Sequence, residues 1–133
     1  MPEDIKKTIL LVEDDEETSE SLRELLEEHG YRVVQGRNGQ DAQEKMRVAG
    51  RPDCILLDLW MPGKDGWTFA SELKEGGFGD VPLVVITAAE PHWGYPTPPA
   101  RVMRKPLDKE RLLRLVGTLS GSERVDSGDV RGS

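Results

Sequence analysis

Cysteine occurs once in this chain of 133 residues, so no internal disulfide can form. That residue, Cys54, sits in the run DCILLD, where a thiol packs as a small buried hydrophobe rather than reacting. No apolar run is long enough to span a bilayer, and residues 1–7 lead into only a short apolar stretch, which speaks against a signal peptide. A cytoplasmic protein is therefore expected. A basic excess is lacking too: 18 Lys and Arg stand against 25 Asp and Glu, for a net charge of −7. That balance argues against a nucleic-acid or membrane-surface role. Aromatic residues make up 5% and charged residues 32%, the balance of a soluble globular protein. The length suits one domain with a single core, and no internal repeat is apparent.

What is present is an alternation of short apolar runs and amphipathic stretches. Thr8–Val12 (TILLV) reads as a strand buried on both faces and ends in Glu13-Asp14-Asp15. In ETSESLRELLEEHG, Leu22, Leu25 and Leu26 fall at helical spacing and Gly30 is placed to end the helix. The other face of that helix is loaded with glutamates, and His29 in its last turn suits the dipole. Residues 31–35 (YRVVQ) form a second predicted strand, and Asn38 caps a helix through Ala42, Met46 and Ala49 that Gly50 closes. Residues 53–57 form the third strand, residues 67–75 a further helix, and residues 81–86 a fourth strand with Pro82 at its start. Residues 90–100 (EPHWGYPTPPA) contain Pro91, Pro96, Pro98 and Pro99, which forbid an ordinary helix, so a proline-rich loop is expected there. Residues 101–104 form a short fifth strand, and Asp108 caps a last helix carrying Leu112, Leu113, Leu115, Val116 and Leu119. The domain is expected over residues 1–119, with residues 120–133 a disordered tail or expression remnant.

Strands alternating with helices imply an α/β fold with a doubly wound, five-stranded parallel sheet. Ligands of such sheets bind beyond the carboxyl ends of the strands. Asp14, Asp15, Asp58, Thr87 and Lys105 all fall on that edge. The stretch ILLDLWMPGKDG matters most: a buried run stops at Asp58, and Pro62, Gly63 and Gly66 then turn the chain away. A carboxylate at the end of a buried strand is costly unless something pairs with it. Three neighbouring carboxylates must protonate one of their number or recruit a cation, and Mg²⁺ suits such a set. With the ammonium of Lys105 and the hydroxyl of Thr87, the group forms a cradle for a phosphoryl group, in which a carboxylate can be the nucleophile.

At these residues the sequence resembles the receiver domains of two-component response regulators. The resemblance runs from about residue 7 to 119. It rests on Asp14-Asp15 after the first strand, Asp58 with Met61-Pro62 and Gly66, Thr87 after the fourth strand and Lys105-Pro106 after the fifth. It implies a flavodoxin-like strand order 2-1-3-4-5. It further implies that Asp58 accepts phosphate from a histidine kinase or phosphotransfer partner, in a protein that signals to a downstream protein and is no enzyme beyond assisting its own phosphorylation and dephosphorylation. Asp15 and Asp58 would ligate Mg²⁺ with the backbone carbonyl of Trp60, Asp14 would act largely through water, and Thr87 and Lys105 would contact the phosphoryl oxygens.

The sequence departs from the family between Thr87 and Lys105. The usual fourth helix is replaced by the proline-rich segment, and Val102 stands where receivers carry an aromatic switch residue. Two other readings compete: a receiver-like module that binds proteins without phosphate, and a Mg²⁺-dependent phosphohydrolase with an aspartyl nucleophile. The intact Asp14, Asp15, Asp58, Thr87 and Lys105 speak against the first. The second wants acids spaced D-x-D, whereas here they are adjacent. His92 lies beside Pro91 in a loop and gets no relay role. Trp93 and Tyr95 either form a small recognition surface or cover the sheet end.

Overall fold

A computed structural model of the chain describes residues 6–58, 75, 80–87 and 100–121. Among them run β1 (Thr8–Val12), α1 (Glu16–Glu28), β2 (Arg32–Gly36), α2 (Gly39–Ala49), β3 (Cys54–Asp58), β4 (Leu83–Thr87), β5 (Ala100–Arg104) and α3 (Lys109–Ser120). The strands form one parallel five-stranded sheet in the order β2-β1-β3-β4-β5, as expected. The expected turn after Asp58, the helix over 67–75 and the loop over 90–100 lie outside the described residues, save for Glu75 and for Ala100, which opens β5.

Successive strand residues face opposite sides, and both sides are covered. Leu10, Val12, Ile55, Leu57 and Val85 pack with Ala42 and Met46 of α2. Ile9, Leu11, Leu56, Val84 and Ile86 pack with Leu22 and Leu26 of α1 and with Leu112 and Val116 of α3. Burying these side chains is worth roughly 1.5–3 kcal/mol each, and it explains why the strands are continuous apolar runs rather than alternating ones. Cys54 lies in this core as expected, and burial pushes its thiol up to about 12.

Several ends shift by one or two residues from the sequence reading, each for a tertiary reason. Tyr31 donates its N–H to the Leu26 carbonyl at 3.1 Å, so it finishes the turn after α1 and β2 starts at Arg32. Asp53 exchanges hydrogen bonds with Thr8, its carboxylate accepting from the Thr8 N–H at 2.8 Å, and β3 begins after it. Pro82 precedes β4, where its carbonyl accepts from the Ile55 N–H at 2.9 Å and its missing N–H costs nothing. Ser120, expected outside the domain, is the buried last residue of α3, and Gly121 follows in the left-handed conformation at φ 80°. Gly36 closes β2 because α2 crosses against it: a Cβ there would meet the Ala42 Cα at 2.8 Å.

The caps expected at Asn38 and Asp108 both form. Asn38 accepts from the Asp41 N–H at 2.8 Å, and Asp108 accepts from the Arg111 N–H at 3.2 Å. His29 sits just past α1, with Nδ1 2.9 Å from the Leu25 carbonyl.

Candidate functional site

The carboxyl edge of the sheet brings Asp58 and Lys105 together. Asp58 is the last residue of β3 and only 2% exposed. Lys105 follows β5, and its Nζ donates to Asp58 Oδ2 at 2.7 Å. A carboxylate this deeply buried needs such a partner, because an unpaired buried charge is far costlier than an exposed one. The Lys105 side chain is 31% exposed, so the ammonium reaches Asp58 from the solvent side.

The second carboxyl group beside Asp58 belongs to Glu13, which the sequence reading passed over. Glu13 is 4% exposed. Its N–H donates to the Gly36 carbonyl at 2.9 Å, and its Oε2 accepts from the Asp15 N–H at 3.1 Å. Burial, together with a side-chain hydrogen bond to Asp58, pushes the Glu13 carboxyl up to about 8. A carboxyl group raised so far holds its proton near neutral pH.

A signal for Glu13 existed in the strand register. Val12 pairs with Leu57, so the next step along both parallel strands sets Glu13 against Asp58. Asp15 lies two residues beyond that point. Its carboxylate instead caps α1, accepting from the Thr18 N–H at 3.0 Å and from the Thr18 hydroxyl. The hydroxyl contact holds Asp15 below the usual carboxylate range. Asp14 is exposed and lines, with Glu13, Gln35, Arg37 and Lys45, a groove of about 510 Å³.

Of the expected site residues, then, Asp58 and Lys105 meet directly, Asp14 is exposed in the groove that Glu13 also lines, and the Asp15 carboxylate caps α1. Thr87 is the last residue of β4, its backbone in register with Arg104. Trp60 lies outside the described residues. Among the described residues, no three His, Cys, Asp or Glu side chains stand close enough to hold a metal ion. The Glu13–Asp58 pair nonetheless fits a hard divalent cation. Oxygen ligands are what Mg²⁺ takes, and a cation could replace the proton that Glu13 holds. Chemically the site offers a buried carboxylate with a fixed ammonium on one side and a proton-holding carboxyl on the other.

Comparison with known proteins agrees with this architecture. The model of one protein family, described as the response regulator receiver domain, matches residues 9–116. The chain is 29% identical over 116 residues to protein PilH of Pseudomonas aeruginosa, covering 84% of this chain and 95% of PilH. It is 40% identical over 82 residues to response regulator MprA of Mycobacterium ulcerans, covering 62% of this chain but only 34% of that protein. Among solved structures, the receiver domain of a sensor histidine kinase from Pseudomonas aeruginosa, with a magnesium ion coordinated in its active-site cleft, superposes with a TM-score of 0.76 at 25% identity, covering 88% of this chain and 99% of that one. Chemotaxis protein CheY4 of Vibrio cholerae shares the fold, with a TM-score of 0.74 at 22% identity over 86% of this chain and 99% of its own.

Proposed function

Because the chain belongs to the response regulator receiver domain family, we propose that it accepts a phosphoryl group on Asp58 from the phosphohistidine of a histidine kinase or phosphotransfer protein. As a receiver domain it is a signalling module of two-component systems rather than a classical enzyme. No helix among the described residues is long and apolar enough to cross a membrane.

The observation that carries the proposal is the 2.7 Å contact between Lys105 Nζ and the buried Asp58 carboxylate at the carboxyl edge of the sheet. In the transfer, an Asp58 oxygen attacks phosphorus, the new P–O bond forms and the P–N bond breaks. The electron pair of that bond stays on the departing imidazole nitrogen. Charge is spread over the phosphoryl oxygens throughout, so positioning and electrostatics supply the catalysis. Lys105 is placed to follow that charge from the carboxylate to the phosphoryl oxygens, and Thr87, at the end of β4, would donate to another of them. Glu13 and Asp58 would hold Mg²⁺, with Asp14 acting through water and the Trp60 carbonyl expected from the sequence. Glu13 takes the place first expected for Asp15, whose carboxylate is spent on capping α1. A bound Mg²⁺ would supply neutralising charge at the phosphoryl oxygens, and Glu13 would hold it in its deprotonated form.

The test is incubation of the protein with Mg²⁺ and a small phosphodonor, followed by mass spectrometry of the peptides. One added phosphoryl group on Asp58, absent from Asp58→Asn, supports the reading. Equal labelling of the variant would sink it.

A further inference from the structure

Ser19 interrupts the apolar stripe of α1. It is buried with Leu22 and Leu26 on the side of the helix that meets the sheet, and it is only 6% exposed, where serine is seldom found. A hydroxyl buried there needs a partner, and Gln35 supplies one: its Nε2 donates to Ser19 Oγ at 2.8 Å. Gln35 stands opposite Leu11 in the parallel ladder, so its side chain leaves the sheet on the face that α1 covers. Its backbone carbonyl accepts from Lys45 Nζ at 2.6 Å, so α2 grips the same residue.

The contact between Gln35 and Ser19 closes a ring that contains Glu13. The Glu13 N–H donates to the carbonyl of Gly36, the neighbour of Gln35, at 2.9 Å. From Gln35 the ring crosses to Ser19, whose N–H donates to the Asp15 carbonyl at 2.9 Å. The Asp15 N–H in turn donates to Glu13 Oε2 at 3.1 Å. The backbone of Glu13 therefore moves with the end of β2, and its carboxyl group moves with the first turn of α1. Where the carboxyl group aims depends on how those two segments are held together. The Gln35–Ser19 bond is the link of the ring made by two side chains, so it can be removed without changing a residue at the site.

We infer that Gln35 and Ser19 are positioning residues that hold the Glu13 carboxyl group beside Asp58 in the geometry a divalent cation needs. Their role rests on the reading that Glu13 and Asp58 hold Mg²⁺, and neither residue would touch the ion or the phosphoryl group. Partners that orient a metal ligand in this way change metal affinity by roughly 10–100-fold when they are lost. The low end applies here, because Glu13 keeps its own bonds to Gly36 and Asp15 when the link is cut.

Isothermal titration calorimetry of the full chain with Mg²⁺ alone tests this without any phosphoryl transfer. Gln35→Ala and Ser19→Ala should each raise the Kd about tenfold. The double variant should bind no more weakly than either single one, because the same link is lost in all three. Alanine suits a helix interior, so Ser19→Ala should keep its circular dichroism. The Mg²⁺ concentration for half-maximal phosphoryl uptake should rise with the Kd, while uptake at saturating Mg²⁺ stays at the wild-type level; a general loss of structure would lower both. An unchanged Kd in either folded single variant, or losses that add in the double variant, would overturn the positioning roles and leave Asp58 as phosphoacceptor untouched. A wild type that binds no Mg²⁺ would remove these roles together with the metal site. Mg²⁺ binding that behaves as expected in a protein that takes up no phosphate would support them and count against the phosphoacceptor reading alone.

Discussion

Two carboxylate-rich clusters in this molecule contain the same chemical groups and behave in opposite ways. On α1, Glu20 and Glu27 grip Arg23 in open solvent, at 2.5 and 2.6 Å. At the carboxyl edge, Glu13 and Asp58 share a site with Lys105, and both acids are almost fully buried. Exposed pairs gain little, because water and salt screen them and ordering long side chains costs entropy. Buried groups interact strongly and are costly when a partner is missing. The difference teaches where to look for chemistry in an acidic chain: where solvent has been removed, not where carboxylates are most numerous. Six glutamates on α1 mark a solvated face, whereas two buried acids at the sheet edge mark the candidate site.

The comparison breaks most completely at Asp58. Asp58→Asn should abolish phosphoryl uptake yet leave the protein folded, as read by mass spectrometry and circular dichroism, because one of two crowded acids is removed. Next comes Lys105→Ala, which leaves the Asp58 carboxylate without its ammonium. It should cost about 1–3 kcal/mol in urea unfolding, towards the low end because solvent reaches the 31%-exposed Lys105 side chain.

Glu13 sharpens the contrast through pH. Its folded-state value of about 8 lies above the ordinary 4.5, so the folded chain holds this proton more tightly than the unfolded chain does. The associated stability is fully present below about 4.5, declines between about 4.5 and 8, and is gone above 8. In metal-free buffer, the urea midpoint of wild type should therefore fall across that window relative to Glu13→Gln, which has no proton to lose. Parallel pH profiles for the two proteins would mean that Glu13 is not held protonated. The smallest effect is expected at Arg23: Arg23→Ala should leave the urea midpoint unchanged within error, since its partners remain solvated. A clear loss there would erase the distinction between the two clusters.

Much of the architecture was legible from local pattern. Apolar runs such as TILLV and CILLD could only be strands buried on both faces, and Asn38, Gly50 and Asp108 sit where caps and stops are required. The arrival of Asp58 and Lys105 at one edge followed from their places after strands of a parallel sheet. What local pattern could not decide was which acid of Glu13-Asp14-Asp15 turns inward.

That choice depends on contacts between segments far apart in the chain. The alternation of strands and helices is set locally, because hydrophobic period and capping chemistry are written in neighbouring residues. So is the place of Asp58 at the end of a buried strand. Long-range strand pairing sets Val12 beside Leu57, and hence Glu13 beside Asp58 while Asp15 is left to cap α1. Register between β1 and β3 is set by a ladder joining residues some forty-five positions apart, as in the pairing of Val12 with Leu57. A shift of one residue there exchanges the buried side of a strand for the other, which no window of neighbouring residues can sense.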